Sequence, residues 1–157
     1  MLVLLLALTA GAALIYGITY VTTTRRPART ISDPTFERTA DQVCVRTLPK
    51  LRATRPASGT STAKSLGDLA DRVEQVSTAL TQVEAQLRQV PVLPQYRAKV
   101  DAWLHEWDVY IAVGHRYATA IRTGNQKKYT AVGDEGNAPV HAIARFARAN
   151  HIDDCVV

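Results

Sequence analysis

Eight aliphatic residues, Leu66, Leu69, Val73, Val76, Leu80, Val83, Leu87 and Val90, recur at alternating intervals of three and four. That spacing is an unbroken heptad seam and predicts one helix over 64–90. Nearly every position between them is polar. A stripe of leucine and valine this long is driven out of water, so the helix needs packing partners. A homodimeric coiled coil would supply them from a second copy. Further amphipathic segments in the same chain favour an intramolecular bundle.

Three more segments have helical periodicity. Over 35–52, Phe36, Ala40, Val43, Cys44, Thr47, Leu48 and Leu51 share a face. Asp33-Pro34 suits an N-cap followed by proline in the first turn, and Pro49 is expected to kink this helix or end it early. Residues 53–63 form a small polar loop. Pro91-Val92-Leu93-Pro94 ends the heptad helix, and a long helix follows over 95–123. Its stripe is Val100, Trp103, Trp107, Tyr110, Gly114, Tyr117 and Ile121, widened by Leu104, Ile111 and Ala118. Gly114 in that stripe implies close approach of another helix or a bulky neighbouring side chain. Thr123-Gly124-Asn125 carries helix-stop chemistry. Residues 125–137 are ambiguous: a short helix over 127–132 or a loop. The last segment begins near Asn137, has Pro139 in its first turn and stops near Asn150.

The charge distribution separates this soluble part from the opening of the chain. The sequence has 19 Lys plus Arg and 14 Asp plus Glu, and none of them falls in residues 1–24. Residues 2–21, LVLLLALTAGAALIYGITYV, are long enough to span a bilayer, with Tyr16 and Tyr20 toward one interface. An uncleaved anchor is the expectation, and a cleaved signal peptide is the rival. The missing basic n-region and the length of the apolar run argue against cleavage. The chain therefore divides into an anchor at 1–24, a juxtamembrane tether at 25–34 and a helical domain at 35–157. The tether arginines Arg25, Arg26 and Arg29 suit contact with anionic headgroups.

Cys44 and Cys155 are the two cysteines. No CxxC exists, so a zinc site has too few ligands. One lies in the first helix and the other just beyond the last, so a bundle whose ends meet brings them together. A disulfide is expected, with two reduced core thiols as the alternative. A disulfide places the domain in an oxidising compartment. The arginines following the anchor pull the other way under the positive-inside rule. A start codon upstream, with a basic segment before residue 1, would reconcile the two.

The chain carries no GxSxG, P-loop, GxGxxG or HExxH pattern. Asp101, His105 and Asp108 fall on one helix face, with His115 further along, but read as a solvated face rather than a metal site. His151, Asp153 and Asp154 receive the same reading, and no metal or other cofactor is expected. Basic residues are scattered without a dense stripe, so nucleic acid is not an expected partner. Trp103, Trp107, Tyr110 and Tyr117 are the residues for contact with a ligand or partner, if they are not simply core.

Four places carry a resemblance. They are Cys44 leading into Leu48-Pro49-Lys50-Leu51-Arg52, the heptad helix ending in Val90-Pro91, the 95–123 helix ending in Thr123-Gly124-Asn125, and the terminal His151-Ile152-Asp153-Asp154-Cys155. Together they resemble the small exported helical-bundle proteins of actinobacteria, many of them lipoproteins or single-pass membrane proteins. The chain departs from the lipoprotein form, since no lipobox cysteine follows the apolar segment.

The expected fold is all-α: a transmembrane helix and an antiparallel four-helix bundle closed by Cys44–Cys155. The expected function is non-enzymatic. It is that of a single-pass plasma-membrane protein with an extracytoplasmic interaction domain, touching membrane lipid and serving as accessory or scaffold subunit to a membrane or envelope protein. The alternative is a bundle that binds a small apolar ligand or lipid.

Overall fold

The computed structural model describes residues 30–53 and 65–157. Among the described residues there are five α-helices: α1 (Pro34–Ala53), α2 (Leu66–Arg88), α3 (Arg97–Arg122), α4 (Gln126–Glu135) and α5 (Asn137–Ala149). Short 3-10 turns lie at Pro94–Tyr96 and Asp153–Cys155, and no strand occurs among the described residues. None of the described helices is long and apolar enough to cross a membrane. The anchor expected at 1–24 lies outside the described residues, as do most of the tether and the loop expected at 53–63.

Side chains set the helix ends. Asp33 Oδ1 accepts the Phe36 N–H at 3.1 Å, while Glu37 reaches back to the Asp33 N–H at 3.3 Å. Each satisfies a donor that the first turn cannot pair within the helix. Ser65 Oγ accepts the Asp68 N–H at the start of α2, and Asn125 Oδ1 accepts the Lys128 N–H at the start of α4. Thr123 caps the C-terminus of α3, and Gly124 follows with φ +68°, the left-handed conformation that glycine adopts without strain.

Helices α2 and α3 form an antiparallel hairpin. Arg88 meets Asp108 at 2.6 Å, His115 meets Glu74 at 2.8 Å and Arg122 meets Asp71 at 2.8 Å. Near the middle, a Cβ at Gly114 would collide with the side chain of Ser77. This confirms the close approach expected at that glycine. Helices α4 and α5 then run back along α3 one after the other. Gly136 and Gly133 meet Tyr110 and Tyr117, while Phe146 stacks on Trp103 further up. The pair acts as a fourth, interrupted helix. The interruption falls where Pro139 has no N–H to offer the carbonyl of Glu135.

Four expected helices are therefore present, and the ambiguous stretch is a helix too, so the four-helix expectation becomes five. Helix α4 passes through Gly133 and ends at Glu135, three residues beyond the expected stop. Helix α1 likewise runs through Pro49 to Ala53 instead of stopping early. The carbonyl that Pro49 leaves unpaired belongs to Val45, whose side chain is 46 % exposed, so this turn lies where water can satisfy it. Ile31 and Asp33, in the stretch expected as tether, are both buried.

The core sits toward the end where the two chain termini of the domain meet. Phe36, Ala40, Cys44 and Leu48 from α1 pack with Leu80, Val83, Leu87 and Val90 from α2. Trp103, Leu104, Trp107 and Ile111 from α3, Ile143 and Ala147 from α5, and Ile152 complete it. Complete burial of a side chain such as Phe36 stabilises by about 1.5–3 kcal/mol. At the opposite end the heptad seam opens, and Leu66 is 45 % exposed.

Candidate functional site

The four aromatic residues expected as a contact surface share one stripe of α3, but the structure divides them. Trp103 and Trp107 are buried in the core. Trp103 meets Phe36 edge-on at 6.3 Å and Trp107 edge-on at 6.1 Å, and it stacks on Phe146 at 4.9 Å. Rings from α1, α3 and α5 thus fill the space between those helices, in the offset and edge-to-face arrangements that aromatic quadrupoles favour. Tyr110 and Tyr117 are half-buried and cover the backbone of α4. A Cβ at Gly133 would stand 3.3 Å from the Tyr117 ring, and one at Gly136 would stand 3.6 Å from Tyr110 and from Val113. Tyr129 meets Tyr117 edge-on at 6.4 Å. The tyrosines fasten α4 to α3; the tryptophans fasten α3 to α1 and α5.

Polar atoms are buried in this region too. The indole Nε1 atoms of Trp103 and Trp107 are enclosed without a hydrogen-bond acceptor, against the general pattern for buried donors. Glu84 is buried and forms an ion pair with Arg88, which also donates to Asp108 on α3 at 2.6 Å. Within that pair, Arg88 Nε faces the buried Glu84 Oε1. Burial pushes the Glu84 carboxyl above its ordinary range; Arg88 opposes that shift and Asp108 adds to it. Glu84 was not singled out from the sequence, although a signal was there. Ala70, Ser77 and Glu84 recur every seven residues and all are buried. They form a second row beside the aliphatic seam. Since Ser77 faces Gly114, a one-heptad step along both antiparallel helices puts Glu84 in the layer of Trp107.

The acidic and histidine positions do not converge. Asp101 and His105 are exposed, Asp108 is held by Arg88, and His115 shares a hydrogen bond with Glu74. At the C-terminal end, Asp153 is exposed, and the Asp154 N–H donates to Asp41 Oδ1 at 3.1 Å. Among the described residues no group of three His, Cys, Asp or Glu is placed to hold a metal ion.

The two cysteines form a disulfide. Cys44 on α1 and Cys155 in the terminal turn are joined with their Cα atoms 5.0 Å apart, across 111 positions of sequence. Around the bridge the two ends of the domain are tied further. The Ile31 N–H donates to Asn150 Oδ1 at 2.6 Å, the Leu93 N–H to Asp33 Oδ2 at 2.8 Å, and Lys99 Nζ to the Thr30 carbonyl at 3.0 Å.

No protein-family model matches this chain, and neither a curated protein nor a solved structure matches it.

Proposed function

We propose that the chain is a membrane-anchored extracytoplasmic interaction domain, acting as an accessory or scaffold subunit of a cell-envelope or membrane protein complex. The observation that carries this reading is the Cys44–Cys155 disulfide. Disulfides persist in oxidising compartments, and this one follows an opening segment of 24 residues without a charge. An apolar stretch suited to spanning, followed by a stapled domain, is the build of a single-pass protein whose folded part is exported.

The far end of the α2–α3 hairpin supports an interaction role. Leu66 is exposed there, and Leu69, Val73 and Val76 of the same seam are only partly covered. An aliphatic row left partly open is the kind of surface that a protein partner buries. Helix-in-groove and helix-on-helix association both use such spacing.

A second reading is the ligand-binding bundle. It draws on the buried indole N–H groups of Trp103 and Trp107, which have no acceptor. The stacking of Phe146 on Trp103 weighs against it, because a ligand between those helices would have to separate the rings.

Affinity purification from mild detergent tests the leading reading. A stoichiometric membrane or envelope protein should accompany the chain, and Leu66→Glu with Val73→Glu should release it. Recovery of the chain alone, at monomer mass, would count against the accessory role.

A further inference from the structure

The turn between α2 and α3 displays an apolar residue on a rigid support beside the point where the chain enters the domain. Leu93 is 44 % exposed. Its backbone is fixed from both directions: the Leu93 N–H donates to Asp33 Oδ2 at 2.8 Å, and its carbonyl accepts the Tyr96 N–H at 2.9 Å. Pro91 and Pro94 stiffen the flanks. The leucine is therefore held outward by structure rather than exposed on a slack loop.

Its neighbours suit the headgroup layer of a membrane. Tyr96 is half-buried, an amphipathic ring of the kind enriched at that depth. Lys99 Nζ lies 5.6 Å above the Tyr96 ring while donating to the Thr30 carbonyl. Arg97 is exposed at the start of α3, with Asp101 one turn beyond it. Arg148 is exposed in the last turn of α5, two residues before Asn150, which holds Ile31. Arg25, Arg26 and Arg29 precede Thr30 in sequence.

We propose that Leu93, Tyr96, Arg97 and Lys99 form a seat that rests the domain on the surface of an anionic bilayer. This rests on the anchored reading above. Val21, the last residue of the apolar run, is nine positions before Thr30. Nine residues span at most about 30 Å, whereas the 26 residues of α3 extend about 39 Å. The entry end of the domain, and with it Leu93, is thus the end that the tether keeps near the membrane. Cationic side chains at that distance are drawn to anionic headgroups, and an aliphatic side chain can enter the boundary layer.

The test uses the full-length chain reconstituted into vesicles, either phosphatidylcholine alone or phosphatidylcholine with phosphatidylglycerol, in both cases with brominated acyl chains. Leu93→Trp adds an indole at the seat. Val45→Trp adds one at another exposed position, twelve residues along α1 from Asp33 and about 18 Å away. With the chain floating with the vesicles, the added emission at position 93 should be quenched, more strongly with phosphatidylglycerol, and that at position 45 should not. Arg97→Glu with Lys99→Glu should abolish the dependence on anionic lipid. A chain that floats but shows no quenching at position 93, or equal quenching at both positions, overturns the seat and leaves the anchor standing. A chain that does not float overturns the anchored reading, and the seat with it.

Discussion

Asn150 and Ile31 are 119 positions apart, yet Asn150 Oδ1 accepts the Ile31 N–H at 2.6 Å. Asn150 is fully buried, and its Nδ2 donates to the Phe146 carbonyl at 2.7 Å. One side chain thus joins the entry of the domain to the end of its last helix. Asn150→Ala leaves the Ile31 N–H without this partner in a dry site and should cost about 1–3 kcal/mol. Asn150→Asp keeps an acceptor for Ile31 but sets a carboxylate oxygen against the Phe146 carbonyl in a buried site, and should cost at least as much. Urea midpoints at unchanged slope check both. A loss under about 0.5 kcal/mol for Asn150→Ala would contradict the assignment.

The disulfide makes the same junction covalent. In the chain-entropy account, closing a loop across 111 positions stabilises by about 4–5 kcal/mol. Thermal unfolding with reductant should therefore fall by roughly 15–20 °C for a domain of this size. An unchanged midpoint would show that the bridge adds nothing to the fold.

Gly114 and Ser77 set the spacing of the α2–α3 hairpin. Gly114→Ala improves helix propensity by about 1 kcal/mol but drives a methyl group into Ser77. Overpacking of that kind costs about 1–3 kcal/mol, so the net effect should be destabilising. Adding Ser77→Ala removes the closer obstacle and leaves the Ser77 Cβ position 3.3 Å away. The double variant should be more stable than the sum of the singles. Strict additivity in the double-mutant cycle would place the helices further apart than described.

Glu84 gives the domain a pH dependence of defined sign. Its carboxyl is raised above the ordinary 4.5, chiefly by burial. A raised acid binds more protons folded than unfolded between its two pKa values, so its contribution to stability falls as pH rises through that window. Above the folded value the carboxylate is charged in both states and its burial is unfavourable. Glu84→Gln should flatten the fall of the urea midpoint as pH rises above the ordinary carboxylate range. A midpoint for Glu84→Gln that still falls with pH as the parent does would contradict this.

Periodicity exposed the long helices because Leu80, Val83 and Leu87 are driven to the core by the same interval that placed them on one face. It did not show where along α2 that face would be covered. Coverage comes from α1 and from the rings of α3 and α5, and these concentrate at the end where Asn150 meets Ile31. Helix α4 was ambiguous because two glycines interrupt its pattern. In the fold, Gly133 and Gly136 are sites of tyrosine contact, a tertiary cause that no local propensity reports. Pro49 pointed to a kink or an early stop, but proline blocks a single backbone bond, and solvent on that side of α1 allows the helix to continue. Glu84 escaped notice because a polar residue on a heptad row is ordinarily solvated. The cysteine pairing was legible because it needed topology alone: the first helix and the chain end had to meet.

We propose an exported domain held at a membrane, and one measurement tests this most directly. Native membranes can be isolated in excess alkylating agent and washed with carbonate, and the mass of the chain recovered from them then measured. The account predicts the chain in the membrane fraction with Cys44 and Cys155 bridged and no alkylated thiol. Two alkylated thiols, or release of the chain into the wash, would contradict it.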